Sequence, residues 1–168
     1  VLGTDRGDGF GGVAGPAQKG LARNAGGYAG RACLTQSFSA VTAACLVVDR
    51  AKFEQVGGLD EAHLAVSYND VDFCLRLREA GYLNVWTPFA QLIHHESVSR
   101  GRDRSAKNHE RFMRERAYML QRWGDALRRD PAYNPNLSLV QADFSLAEPP
   151  RNDWATPWLV AQHHPDTT

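Results

Sequence analysis

Three short runs in this chain carry side chains suited to chemistry: Asn69-Asp70-Val71-Asp72, His94-His95-Glu96, and Ser97-Val98-Ser99-Arg100-Gly101 just after it. A carboxylate such as Asp70 can take a proton from a hydroxyl group. An imidazole can hold a divalent cation, Mn²⁺ more readily than Mg²⁺, which prefers oxygen ligands. Serine hydroxyls and arginine guanidinium groups can reach phosphate oxygens. Each run also has a plainer explanation. Acidic side chains in a first helical turn are favoured by the helix dipole and its free N–H groups. Adjacent histidines on a strand point to opposite faces, so at most one enters a given pocket, and the pair fits no zinc motif. The serine–arginine run reads equally well as a solvated loop.

The elements that would position these groups are set by the local pattern. Asn69 to Ala80 reads as a helix: Asn69 is the candidate N-cap, Asp70 and Asp72 lie in the first turn, and Arg76 and Arg78 near the last. Val71, Cys74, Leu75 and Leu77 form its apolar side, and Gly81 ends it. Upstream, the apolar run from Ala40 to Val48 predicts a buried strand. Asp49 to Val56 predicts a short helix, closed by Gly57-Gly58 with the first glycine as left-handed cap. Downstream, Leu83–Thr87 and Ala90–His94 read as two short strands flanking Pro88. A longer helix is expected from about Ser105 to Leu127, with Met113, Ala117, Leu120 and Leu127 at helical spacing and a Glu110–Arg114 pair in support.

The chain thus divides into a glycine-rich irregular segment (1–40), an α/β segment (40–128) and an extended tail rich in proline and asparagine (129–168). Its 168 residues suffice for one domain with a core, and 43% apolar content fits a globular chain. The 19 basic and 19 acidic residues cancel, which argues against a broad nucleic-acid footprint. No run reaches the length of a membrane span. Cys33, Cys45 and Cys74 lack paired spacing and read as buried free thiols in a reducing, cytoplasmic setting.

In their order, the small-residue strand, FEQVGGLDE, NDVDFCLRLREAGY and TPFAQLIHH make residues 40–101 resemble the second half of the catalytic domain of family 2 glycosyltransferases. The continuation through ESVSRGRDR, RW, DPAYNPNLSL and FSLAEPPR is similar to a bacterial subgroup that assembles O-antigen and other surface polysaccharides. The resemblance implies the acceptor-side part of a GT-A fold, a mixed α/β sheet flanked by helices. It implies inverting transfer from a nucleotide-sugar donor to a glycan acceptor, with Asp70 as general base. Asn69 stands where the family commonly has Glu. It implies a divalent metal, Mn²⁺ or Mg²⁺, near His94 or His95, and a phosphate-facing loop carrying Ser97, Ser99, Arg100 and Arg102.

Under the same resemblance, Asp72 is structural or acceptor-binding. Asp60 and Glu61 bind acceptor hydroxyls or cap the next segment. Tyr68, Trp86 and Trp123 are candidates to stack on sugar rings, packing being the better reading for Trp86. A complete family member begins with a donor-binding half that ends in an Asp-x-Asp motif. No such motif precedes residue 40, since Asp5-Arg6-Gly7-Asp8 has the wrong spacing. The donor-binding half is therefore expected elsewhere, and the expected protein, from its thiols and lack of a span, is cytoplasmic or peripheral to the inner membrane. A non-catalytic carbohydrate-binding or assembly module, and a metal-dependent hydrolase using Asp70 and His94, are the competing readings.

Overall fold

The computed structural model describes residues 2–3, 12–18, 20–93, 106–140 and 143–151. In chain order the elements are β1 (Gln36–Phe38), α1 (Arg50–Gln55), α2 (Asn69–Glu79), β2 (Asn84–Trp86) and α3 (Ala106–Arg128), with short 3-10 turns at Tyr28–Cys33 and Ala43–Cys45. The architecture is mixed α/β. Among the described residues two strands pair antiparallel, with Gln36 opposite Trp86 and Phe38 opposite Asn84.

α1 forms because Asp49 caps it, accepting from the Ala51 and Lys52 amides at 2.9 and 3.3 Å. It ends at Gly57 and Gly58, both at positive φ. A Cβ on Gly58 would meet the Phe53 ring at 2.9 Å, so this turn needs glycine for space as well as conformation. α2 is buried on most of its circumference: Val71, Asp72, Phe73, Cys74, Leu75 and Leu77 are all inside. Phe73 packs against Phe53 of α1 at 5.3 Å. On its other side, Val71 and Leu75 join Leu64, Tyr68, and Met119, Trp123 and Leu127 of α3 in the main core.

Polar side chains tie the remaining pieces to that core. The buried Asn84 amide donates to the Ser39 and Cys74 carbonyls, both at 3.0 Å, fixing β2 to the exit of β1 and to α2. Asp130 accepts from the Leu2 amide at 3.1 Å, from the Ala132 amide at 2.8 Å and from the Ser39 hydroxyl. Gln36, Phe38, Asn84 and Trp86 face inward, whereas Ser37 and Val85 face out. Leu83, Val85, Phe89, Leu92 and Ile93, in and just beyond β2, are all exposed.

The structure departs from several expectations. The run from Ala40 to Val48 is no strand: it holds the 3-10 turn at Ala43–Cys45, and Val47 is 93% exposed. An apolar run signals burial but cannot say against what: here Ala40 packs on the core and Val41 on Cys74, whereas residues 42–45 and Val47 are exposed. Residues 90–93 are irregular, so the second of the two expected downstream strands does not form over them. The cap position of α2 is Tyr68, with a left-handed backbone (φ 62°) and no side-chain cap bond, rather than Asn69. The buried line of α3 is Glu115, Met119, Trp123 and Leu127, rotated from the expected stripe and leaving Ala117 exposed. The glycine-rich start also contributes to the core, through Leu2 and Val13. Among the described residues, no helix is long and apolar enough to cross a membrane.

Cys74 is buried, but Cys33 and Cys45 are exposed, against the expectation of buried thiols. Burial pushes the Cys74 thiol up to about 11, whereas its backbone hydrogen bond with Val41 acts the other way. At neutral pH Cys74 is thus an unreactive thiol. Native protein is expected to react with a thiol reagent at Cys33 and Cys45 only, and at Cys74 after unfolding. Phe73→Ala, which empties a fully buried site, is expected to cost about 3–5 kcal/mol in urea denaturation.

Candidate functional site

Asp70 sits in the first turn of α2 and is half-buried. One carboxylate oxygen accepts from the Ala43 amide at 3.1 Å, and the other from its neighbour Val71 at 2.9 Å. The 3-10 turn at Ala43–Cys45 thereby lies against the start of α2. Ala43, Ala44 and Cys45 are small and exposed, so the carboxylate stands at the surface beside a low wall. This is an arrangement in which a carboxylate can meet a ligand hydroxyl while held by two N–H groups.

Asp72, two residues on, is a different object. It has no exposed surface, and its oxygens accept from the Arg76 Nε at 2.7 Å and the Trp123 indole N–H at 2.8 Å. Arg122 Nε stands 3.6 Å away. Of its two readings, structural or acceptor-binding, the geometry fits the structural one, since no face of Asp72 is left for a ligand. Arg76 extends the network: its other nitrogens donate to the Gly58 carbonyl at 2.6 Å and to the Val56 carbonyl. The end of α1, the middle of α2 and α3 are thus joined through one buried ion pair.

Asp60 lies at the edge of this network. It accepts from the Tyr118 hydroxyl at 2.8 Å and pairs with the His63 ring nitrogen at 3.0 Å, and the His63 and Tyr118 rings stack at 4.5 Å. Its oxygen also caps the His63 amide at 3.1 Å, the capping alternative for this residue. Burial pushes the Asp60 carboxyl up, but the hydrogen bonds from Tyr118 and His63 more than offset it and hold it below its ordinary 3.8. Glu61 is exposed. Tyr68 and Trp123 are packed in the core, so neither presents a ring face to a sugar. Trp86 is half-buried, edge-on to Phe38 at 6.1 Å.

His94, His95, Ser97, Ser99, Arg100 and Arg102 lie outside the described residues. Among the described residues, no group of three or more His, Cys, Asp or Glu side chains comes together to hold a metal ion. The described residues alone therefore do not make a metal site.

Two participants are not visible in the sequence. The Ala43 amide is hidden behind the expected strand. Glu115, 3% exposed, accepts from the Val66 and Ser67 amides at 3.2 and 2.8 Å, just ahead of α2. Nothing in a charged helical stretch distinguishes it from its solvated neighbours. The Asp72–Arg76 pair does carry a signal, the i,i+4 spacing of opposite charges.

Removing the Asp72 carboxylate strands Arg76, whose side chain is only 11% exposed. Asp72→Ala is expected to cost about 3–5 kcal/mol in denaturant titration, and Asp72→Asn less, because an acceptor for the indole remains. Asp60 makes a pH prediction. Its folded pKa lies below the unfolded one, so its contribution is complete above the ordinary value of 3.8 and fades as pH falls through the folded value. The Asp60→Asn variant is expected to lose less stability than wild type on acidification below about pH 4, read from thermal midpoints across that window.

No family model and no solved structure matches the chain. It is similar to segments of much longer curated proteins. It is 51% identical over 141 residues to a protein of Sinorhizobium fredii named only as uncharacterized y4gI, covering 84% of this chain and 16% of that protein. It is 36% identical over 118 residues to the O-antigen biosynthesis protein RfbC of Myxococcus xanthus, covering 70% of this chain and 9% of that one. Over 63 residues it is 44% identical to an N-acetylglucosaminyl-diphospho-decaprenol L-rhamnosyltransferase of Mycobacterium tuberculosis, covering 38% of this chain and 20% of that enzyme. The chain thus spans a fifth or less of the length of each of these relatives, of which one is named for O-antigen biosynthesis and one as a rhamnosyltransferase.

Proposed function

We propose that this chain is the acceptor-side part of a glycosyltransferase catalytic domain of the GT-A type, with Asp70 as its general base. The observation that carries the reading is the Asp70 carboxylate, half-buried at the start of α2 and held by the Ala43 and Val71 amides. Each carboxylate oxygen has two acceptor sites, so one N–H on each orients the group and leaves capacity for a ligand hydroxyl. In an inverting transfer Asp70 takes the proton from the acceptor hydroxyl as that oxygen attacks the anomeric carbon, and the nucleoside diphosphate leaves from the opposite face. Similarity to segments of a rhamnosyltransferase and an O-antigen biosynthesis protein supports the same reaction class.

The proposal includes a divalent cation, Mn²⁺ or Mg²⁺, with His94 or His95 as ligand. When bound, such a cation would neutralise charge on the leaving diphosphate. Ser97, Ser99, Arg100 and Arg102 are proposed to contact the phosphates, and Glu61 the acceptor. Asp60 is the weaker acceptor ligand, because Tyr118 and His63 already occupy its oxygens.

The donor-binding half is proposed to lie elsewhere in a longer polypeptide or on a separate one. The apolar side chains in and around β2 support this. Leu83, Phe89 and Ile93 are 70%, 83% and 79% exposed, and a two-stranded sheet with bare apolar neighbours is marginal by itself. A protein acting on cell-surface glycans from the cytoplasmic side, alone or at the inner membrane, fits the reading.

The test is sugar transfer from nucleotide-sugar donors with Mn²⁺, measured on the protein that carries this segment. Asp70→Asn is expected to lower the transfer rate by roughly 10²–10⁴-fold with donor binding retained. Unchanged transfer in that variant would remove Asp70 from the mechanism.

A further inference from the structure

We infer that Glu115 is a positioning residue for Asp70, acting from α3 through the backbone of residues 66–68; the inference rests on the role proposed for Asp70. Glu115 is 3% exposed and lies midway along α3. A carboxylate is buried only where donors replace its lost water. Here both oxygens are spent on main chain: one on the Val66 amide at 3.2 Å, the other on the Ser67 amide at 2.8 Å. Arg111, one turn earlier on the same helix, is 3.8 Å away. Glu115 thus holds a stretch of backbone that ends three residues before Asp70.

The next residue, Tyr68, is the conformational outlier of the region. It adopts φ 62° and ψ 7°, a left-handed conformation that a bulky side chain rarely takes. Its ring packs on Phe112, one turn before Glu115 on α3, at 5.8 Å. Adjacent points of the approach segment are therefore gripped by one face of one helix, the carboxylate on the backbone and the ring on the ring. Such an outlier persists only where its surroundings over-determine it. The left-handed residue turns the chain into α2, and its carbonyl accepts from the Asp72 amide at 2.9 Å. Asp70, in that first turn, then meets the Ala43 amide across the chain. Releasing the grip lets Tyr68 relax, re-aims the first turn and separates Asp70 from Ala43.

A residue that merely stabilised the fold would not act on Ala43, which Glu115 does not touch. The experiment uses amide spectra of the whole chain. Asp70→Ala first defines the shift of the Ala43 amide that accompanies loss of its acceptor. Glu115→Ala is expected to move Ala43 in the same direction, and Glu115→Gln, which keeps one acceptor oxygen, to move it less. Leu137→Ala, a buried site in the C-terminal turn region, is the destabilised control and is expected to leave Ala43 in place. If Val66 and Ser67 respond to Glu115→Ala while Ala43 stays at its wild-type shift, the positioning role is wrong. Should Glu115→Ala fail to fold, Glu115→Gln and Phe112→Leu decide the same question at Ala43.

Transfer kinetics give the second arm. Glu115→Gln is expected to lower kcat on the order of 10–100-fold with donor KM unchanged. If Asp70→Asn leaves transfer intact while the Ala43 shift still tracks Glu115, the assignment of the base fails and the mechanical link stands. If Asp70→Asn abolishes transfer but Glu115→Gln changes neither kcat nor Ala43, the link fails and the base stands.

Discussion

The buried carboxylate of Asp72 is the constraint on which the rest of this structure depends. A charge with no exposed surface must be matched, and here Arg76 and the Trp123 indole match it. Matching it fixes three helices at once. Arg76 carries the attachment on to the carbonyls of Val56 and Gly58, so the end of α1 docks on α2 through polar bonds as well as through the Phe53–Phe73 contact. Trp123 brings in α3. The functional candidate two residues away, Asp70, inherits this rigidity while keeping its own oxygens near the surface.

Two aspartates separated by one residue therefore do opposite work, and the helix explains why. Neighbours two apart on a helix point to different sides. Asp72 turns into the junction with α3, and Asp70 turns toward the Ala43–Cys45 turn. The Asp-x-Asp spelling alone invites a shared metal role, whereas the geometry separates one carboxylate that binds protein from one that can meet a ligand.

Much of the fold is legible in the sequence because its signals are local. The short helix near Asp49, the glycine pair after it, the span of α2 and the extent of α3 all come from short-range propensity and punctuation, whereas the cap role of Asp49 comes from the structure. The illegible parts depend on tertiary partners. The run from Ala40 to Val48 looks like a buried strand, but burial needs a second surface, and among the described residues only its start, at Ala40 and Val41, meets the core and α2. Glu115 looks like any charge on a helix, because its partners are backbone amides that have no spelling in the sequence. Tyr68 in a left-handed conformation is equally silent. The candidate site is thus half visible: Asp70 by its place at a helix start, its supports not at all. His94, His95 and the serine–arginine run beside them are legible as chemistry, and they lie outside the described residues.

If Asp70 is the base that activates the acceptor hydroxyl, it stands close to the donor diphosphate during transfer, and paramagnetic broadening tests that placement directly. Mn²⁺ added with a nucleoside diphosphate, to this segment joined with its donor-binding half, relaxes nearby amide protons, and the effect falls steeply with distance. Selective broadening of Ala43 and Val71 is expected, with Arg128 and Leu137, at the far end of α3 and beyond it, staying sharp. Sharp signals at Ala43 and Val71, with broadening centred elsewhere on the molecule, would contradict the claim.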